Sequence, residues 1–229
     1  MISVVIPTFN AEATLGPTLA ALVPAVVDGV VMEAIIADGG STDETIAIGE
    51  AAGTQLVRAK RGRGSQLHAG AAAARGDWLL FLHADTVLEP GWAEEADSFM
   101  ERVATGRRAP AAAAFRFALD DDGFMPRLME WLVAMRCLLL VLPYGDQGLL
   151  ISRKLYAELG GFRPMPLMED VDLVRRLKRH QRVMLQSRAL TSGARYRSEG
   201  YVARSLRNFC CIALYYLRVP PRVLVRLYG

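Results

Sequence analysis

The chain has 229 residues, 52% of them hydrophobic, and a formal net charge of +3. That is enough apolar material for one sizeable α/β domain or two small ones, and a single globular unit is the default at this length. The three cysteines, Cys137, Cys210 and Cys211, show neither CxxC spacing nor a disulfide framework, which points to a reducing compartment.

The opening "MISVVIPTFN" has no basic n-region and no long apolar core, so no secretory signal is expected. "ISVVIP" is an apolar, β-branched run closed by Pro7 and reads as the first strand. Asn10 is placed to cap a helix carrying Leu15, Leu19 and Leu22 on one face. "AIIAD" is a second strand, after which Ser41 and Glu44 form an S-x-x-E capping box for the next helix. "TQLVRA" is a third strand, "SQLHAGAAAAR" an Ala-rich helix and "DWLLFL" a fourth strand. This alternation implies βαβ units and a mostly parallel central sheet covered by helices.

In the second half, "AAAAFRFAL" (111–119) reads as a strand, 126–142 as a helix, "GLLIS" as a strand and "EDVDLVRRLKRH" as a helix. Gly160-Gly161 with Pro164 and Pro166 suggest a mobile loop before the last of these. Stretches 131–142 and 209–217 are apolar, yet neither approaches the roughly 20 residues of a membrane-spanning helix. Residues 195–229 hold seven Arg and one Glu, a net of +6, which leaves −3 for residues 1–194. Such a tail is either a solvated arginine face or a contact for anionic lipid headgroups or a phosphorylated substrate. The apolar stretches equally offer a homodimer contact.

Sheets of this kind bind ligands beyond the carboxyl ends of their strands. Pro7-Thr8-Phe9-Asn10, Asp38-Gly39-Gly40-Ser41 and His83-Ala84-Asp85 each follow a predicted strand, so all three are expected along one rim. An aspartate in "DGGSTDET" either meets a base or ribose or simply finishes a βα turn. His83 and Asp85, at i and i+2, point to one side if the alternation persists, and a carboxylate suits Mg²⁺ or Mn²⁺. Glu169-Asp170 opens a helix, where acidic residues suit the dipole but also stand ready as a general base. The "KRGRG" loop offers Arg63 and its neighbours to a phosphate. Walker, GxSxG, HExxH and dinucleotide fingerprints are absent, which leaves carboxylates, one histidine and arginines suited to handling a diphosphate.

Together, "VVIPTFNAEATL", "IIADGGSTDET", "GAAAARGDWLLFLHADT" and "MEDVDLVRRL" resemble the family 2 glycosyltransferases of the GT-A fold over roughly residues 1–180. "FLHADT" with "YGDQGLLISR" is similar to a bacterial subgroup labelled arsenosugar-biosynthesis-type glycosyltransferases. The resemblance implies a GT-A, Rossmann-like α/β domain over 1–194, split into a nucleotide-sugar half (1–104) and an acceptor half (105–194). A basic, apolar helical extension, 195–229, follows. It also implies that Pro7, Thr8, Asn10, Glu12, Asp38, Arg63 and His83 bind the nucleotide. Asp85 matches the last aspartate of the metal-binding DxD motif, and Asp170 matches the catalytic base. Where the family has D-A-D this chain has H-A-D, so His83 is placed to meet ribose while Asp85 keeps the metal.

The expected reaction is inverting, Mn²⁺- or Mg²⁺-dependent transfer of one sugar from a nucleotide-diphosphate sugar, a UDP-sugar first, to an acceptor hydroxyl on a small molecule or lipid. Glu169, Asp146, Gln147, Arg195 and Arg197 are candidate acceptor, sugar or phosphate contacts. No nucleic-acid partner is expected, and the location expected is cytoplasmic, with peripheral contact at the inner face of the membrane. A nucleotidyltransferase and a non-catalytic nucleotide-binding scaffold of the same fold are the alternatives.

Overall fold

The computed structural model describes residues 1–140, 143 and 145–228. The first half runs β1 (Ile2–Thr8), α1 (Glu12–Ala20), α2 (Val23–Val27), β2 (Val31–Asp38), α3 (Thr45–Ala51), β3 (Gln55–Arg58), α4 (Arg63–Ala73) and β4 (Trp78–Phe81). The second half runs β5 (Thr86–Leu88), α5 (Trp92–Ala104), β6 (Ala112–Asp120), α6 (Phe124–Leu140), β7 (Leu149–Ser152), α7 (Arg153–Glu158), α8 (Glu169–Arg176) and β8 (Arg182–Ser192). Three helices close the chain: α9 (Ala194–Glu199), α10 (Tyr201–Tyr216) and α11 (Pro221–Tyr228).

The strands form one sheet in the order β3-β2-β1-β4-β7-β6-β8-β5. The α/β expectation holds, and the first four strands are mutually parallel. The second half departs from it: β7 runs antiparallel to both β4 and β6, and β5 antiparallel to β8, while β6 and β8 are parallel. The helix expected at 126–142 is α6; residues 141 and 142 lie outside the described residues. The helix expected from Glu169 stops at Arg176, because Leu177 turns extended and buries its side chain in the core.

Strand β1 is the spine, and its side chains alternate between two cores as strand geometry requires. Ile2, Val4 and Ile6 join Leu15, Leu19, Trp92, Phe99 and Phe115 on one face. Val5 joins Leu67, Leu79, Phe81, Tyr156, Phe162 and Leu173 on the other. With both faces covered, the strand reads as an unbroken apolar run. Each such fully buried side chain contributes roughly 1.5–3 kcal/mol of transfer free energy, so the sheet centre is the most strongly held part of the fold.

A third, smaller core ties the end of the chain to α8. Leu167, Met168 and Val171 pack with Cys211 of α10 and Leu224 of α11, flanked by Ile212, Leu214 and Tyr215. The loop before α8 is likewise anchored: the Phe162 amide donates to the Tyr156 hydroxyl at 2.9 Å, and Phe162, Leu167 and Met168 are buried. Gly64, in the first turn of α4, donates its N–H to Met165 O at 3.1 Å. A Cβ on Gly64 would overlap Arg163 O and lie 2.8 Å from Met165 N, so this approach requires glycine.

Candidate active site

The parallel strands β1 and β2 end in register at Thr8 and Asp38. Asp38 Oδ1 accepts from Thr8 Oγ1 (3.1 Å) and Ser41 Oγ (2.5 Å), and Oδ2 accepts from the amides of Gly40 (2.7 Å) and Ser41 (2.9 Å). Burial pushes this carboxyl up, but the hydrogen bonds from Ser41, Gly40 and Thr8 outweigh it and hold Asp38 below the usual carboxylate range. Four internal bonds occupy a side chain expected to meet the nucleotide, and Asp38 does not line the cleft.

The turns after β1 and β2 are bonded to each other. Asn10, at φ 50°, accepts at Oδ1 from the Thr42 amide (2.9 Å), and its own amide donates to Ser41 Oγ (2.9 Å). The Ala11 amide donates to Thr45 Oγ1 (2.7 Å) and the Glu12 amide to Asp43 Oδ2 (3.1 Å), while Glu12 Oε2 accepts from the Glu44 amide (3.0 Å). The expected Asn10 cap and Ser41–Glu44 box are therefore corrected, because groups of the opposite turn, together with Asp43 accepting from the Thr45 amide (3.1 Å), satisfy these helix starts instead. Glu12 is exposed and spent on that latch, outside the cleft lining.

Beyond these strand ends opens a cleft of about 310 Å³, lined by Pro7, Thr8, Phe9 and Asn10 on one side and by Arg63, Gln66, His83 and Asp85 on the other. That volume falls in the range of small-molecule sites. Arg63 reaches it from the start of α4, and Arg61 stacks its guanidinium 3.9 Å above the Phe9 ring at the rim. Gln66 braces the floor: its Nε2 donates to Thr8 O (2.6 Å) and Ala37 O (2.9 Å). The far wall comes from β8, where the Ser192 amide donates to Asp85 O (3.0 Å) and brings Arg195 to the opening.

His83 also lines a second, narrower pocket with Glu169 and Asp170, whose remaining walls include Leu67, Phe81, Pro143, Leu149 and Phe162. It encloses about 20 Å³, room for a hydroxyl-sized group. His83 is thus the partition between cleft and pocket. Burial, then the Arg63 guanidinium, hold its imidazole down at about 4, against the opposing charges of Asp85 and Asp170. At neutral pH it is uncharged and keeps a lone pair on one ring nitrogen. Glu169 is buried with no hydrogen-bond partner on Oε2; burial, then the Asp170 carboxylate, push it up to about 7. Asp170 follows Met168, whose left-handed backbone (φ 66°) turns the chain into α8.

The remaining candidates lie outside both linings. Gln147 is buried, donating to Phe115 O (3.0 Å) and accepting from Arg136 (3.0 Å). Asp146, behind the pocket, carries an unpartnered Oδ1; burial pushes its carboxyl up, with Asp170 and Asp85 reinforcing and Arg136 opposing. Arg197 bonds Asp121 (3.3 Å) and Asp120 O (3.1 Å). Among the described residues no three His, Cys, Asp or Glu side chains converge as a metal-binding group. The cleft wall offers the Asp85 carboxylate, a hard oxygen donor that fits a divalent ion taking most of its ligands from a bound diphosphate.

The glycosyl transferase family 2 model matches residues 3–134, more than half of the chain. The chain belongs to glycosyl transferase family 2. Among curated relatives within reach, the glucosyl-3-phosphoglycerate synthase of Mycolicibacterium paratuberculosis is 37% identical over 95 residues, 38% of this chain and 29% of that protein. An uncharacterized glycosyltransferase of Mycobacterium tuberculosis is 33% identical over 115 residues, 48% of this chain and 50% of that one. The matched region therefore spans half or less of these relatives' lengths. A crystal structure of the Mycobacterium tuberculosis glucosyl-3-phosphoglycerate synthase with Mn²⁺, UDP and phosphoglyceric acid superposes with a TM-score of 0.58 at 26% identity, covering 84% of this chain and 68% of that one.

Proposed function

We propose that this family 2 chain transfers one sugar, with inversion, from a UDP-sugar to an acceptor hydroxyl, with a divalent ion held at Asp85. The observation that carries the reading is the position of His83 between a diphosphate-sized cleft bearing Asp85, Arg63 and Arg195 and a small pocket bearing Asp170. Support for UDP and for Mn²⁺ comes from the synthase structure, which was crystallised with both.

In this scheme Arg63 and Arg195 hold the diphosphate in the cleft, and the neutral imidazole of His83 hydrogen-bonds the donor at the partition. Asp170 accepts the proton of the acceptor hydroxyl as that oxygen bonds to the anomeric carbon, on the face opposite the departing UDP. A divalent ion bound at Asp85 supplies positive charge to the leaving diphosphate. Residues 1–104 supply most of the donor cleft, joined by Ser192 and Arg195, and Asp170 stands on the acceptor side. The nucleotidyltransferase and scaffold alternatives have no specific observation in their favour.

Among the described residues, the Asp170 pocket is lined by apolar side chains, His83 and two carboxyl groups, with no Arg or Lys to meet a phosphate. A pocket of about 20 Å³ takes the acceptor hydroxyl alone, so the body of the acceptor lies outside it. The narrower likeness to arsenosugar-biosynthesis-type enzymes rests on "FLHADT" and "YGDQGLLISR" alone; Tyr144 of the latter lies outside the described residues. A cytoplasmic location belongs to the same proposal.

Calorimetric titration of UDP with and without Mn²⁺, on wild type and Asp85→Ala, tests it. Metal-dependent binding lost in the variant is the expected result; failure of the wild type to bind UDP under both conditions overturns the donor assignment.

A further inference from the structure

The outer surface of α6 and α10 is apolar where a water-facing helix would be polar. On α10 the buried side carries Arg204 and Cys211; the opposite side carries Val202, Leu206 and Phe209, between 61% and 68% exposed. The spacing i, i+4, i+7 makes them one stripe. On α6, Phe124, Trp131 and Leu138 recur every seven residues and are 75%, 58% and 71% exposed. The two helices meet where Ser205 Oγ lies 3.1 Å from Met129 Sδ, and the Tyr201 hydroxyl bonds Asp121 just ahead of α6. An exposed apolar surface on this scale marks an interaction site.

Charge decides what the surface meets. After Glu199 the chain has no acidic residue, while Arg204, Arg207, Arg218, Arg222 and Arg226 follow. Glu199 already pairs with both Arg204 (2.7 Å) and Arg207 (2.6 Å). Arg195 lies at the cleft and Arg197 pairs with Asp121, so the docking segment itself, 200–229, carries five arginines and no acidic residue; a second copy would bring two such segments together, whereas an anionic bilayer offers the complementary sign. Among the described residues no helix is long and apolar enough to cross a membrane, so the contact is interfacial.

We infer that α6 and the α10–α11 segment dock this protein on an anionic lipid surface, with the apolar stripes in the headgroup–acyl boundary and the basic tail supplying attraction. The third core couples the docked segment to the residues that flank Asp170.

The test is sedimentation of the purified full chain with vesicles of phosphatidylglycerol and phosphatidylcholine, and with phosphatidylcholine alone, at low and high salt. Wild type is expected to bind the anionic vesicles at low salt and to be released by high salt. Leu206→Asp combined with Phe209→Asp should lower partitioning about tenfold or more. Arg218→Glu keeps every apolar side chain, and should lower it roughly fivefold or more by charge alone. The inference is overturned by absence of binding to anionic vesicles at low salt. Equal binding to neutral vesicles, unchanged by either variant, also overturns it. A dimer dissociated by Leu206→Asp with Phe209→Asp, without vesicle binding, would give the face to a second copy and overturn it as well.

Discussion

Thr8 and Asp38 close two neighbouring parallel strands in register, and Thr8 Oγ1 donates to Asp38 Oδ1 at 3.1 Å. With Gly40 and Ser41 completing the set, the carboxylate fastens the floor of the cleft. Asp38→Asn should cost about 1–3 kcal/mol of stability, since two backbone amides lose their anionic acceptor. Its folded-state carboxyl titrates below the ordinary value, so the stabilisation is present above the unfolded pKa and is lost as pH falls through the lower folded one. Urea unfolding of wild type and variant from neutral to acid pH checks both statements: the two curves should converge in acid.

Asp170→Asn should leave UDP affinity nearly unchanged and cut turnover by roughly 10²-fold or more, if the carboxylate accepts the acceptor proton. UDP-sugar hydrolysis, with water as the acceptor, provides the rate, and calorimetry provides the affinity. Equal losses in both would make Asp170 a donor-binding group.

Arg195 opens onto the cleft, whereas Arg197, two residues on, is tied to Asp121 and Asp120 O. Arg195→Ala should weaken UDP binding by about tenfold or more, the loss of one charge-assisted hydrogen bond. Arg197→Ala should leave it nearly unchanged. The pair, measured by calorimetry at one salt concentration, tells a phosphate contact from general basicity.

Glu169 carries a folded-state pKa pushed up to about 7, chiefly by burial, from the usual 4.5. An acid raised in this way favours the fold while both states are protonated. That advantage is lost as pH rises from the unfolded value through the folded one. Wild type should therefore lose on the order of 2 kcal/mol between about pH 4.5 and 7 that Glu169→Gln retains. Melting temperatures of both proteins across that range give the answer, and parallel profiles would remove Glu169 as the source.

What could be seen in the sequence was local. His83, Asp85 and Arg63 stand at the ends of readable strands and at a helix start, so the rule that ligands bind at strand carboxyl ends placed them on one cleft. Gln66 and Ser192 were missed because nonlocal packing gives them their roles. Gln66 left one faint signal, a polar residue on the helix side shared with Leu67, Gly70 and Ala71; Ser192 left none. Local propensity gave Asn10 and Ser41 to their own helices, while Asn10 bonds Ser41 and Thr42 some thirty residues away and Ser41 is held by Asp38 as well. The antiparallel half of the sheet was hidden for a related reason: β7 reaches β4 only after α6 intervenes, and strand order is not written in local periodicity.

The contact between Gly64 and Arg163–Met165 joins the donor-side helix to the acceptor-side loop, with no room for a single methyl group between them. Acceptor preference in this chain is therefore not an exchangeable cassette. A loop transplanted from a homologue must either match the backbone path over Gly64 or bring its own version of residues 62–66, and with it a new setting for Arg63. Diversification of the acceptor side would then leave its mark in the donor-side helix, as paired changes at two places nearly a hundred residues apart.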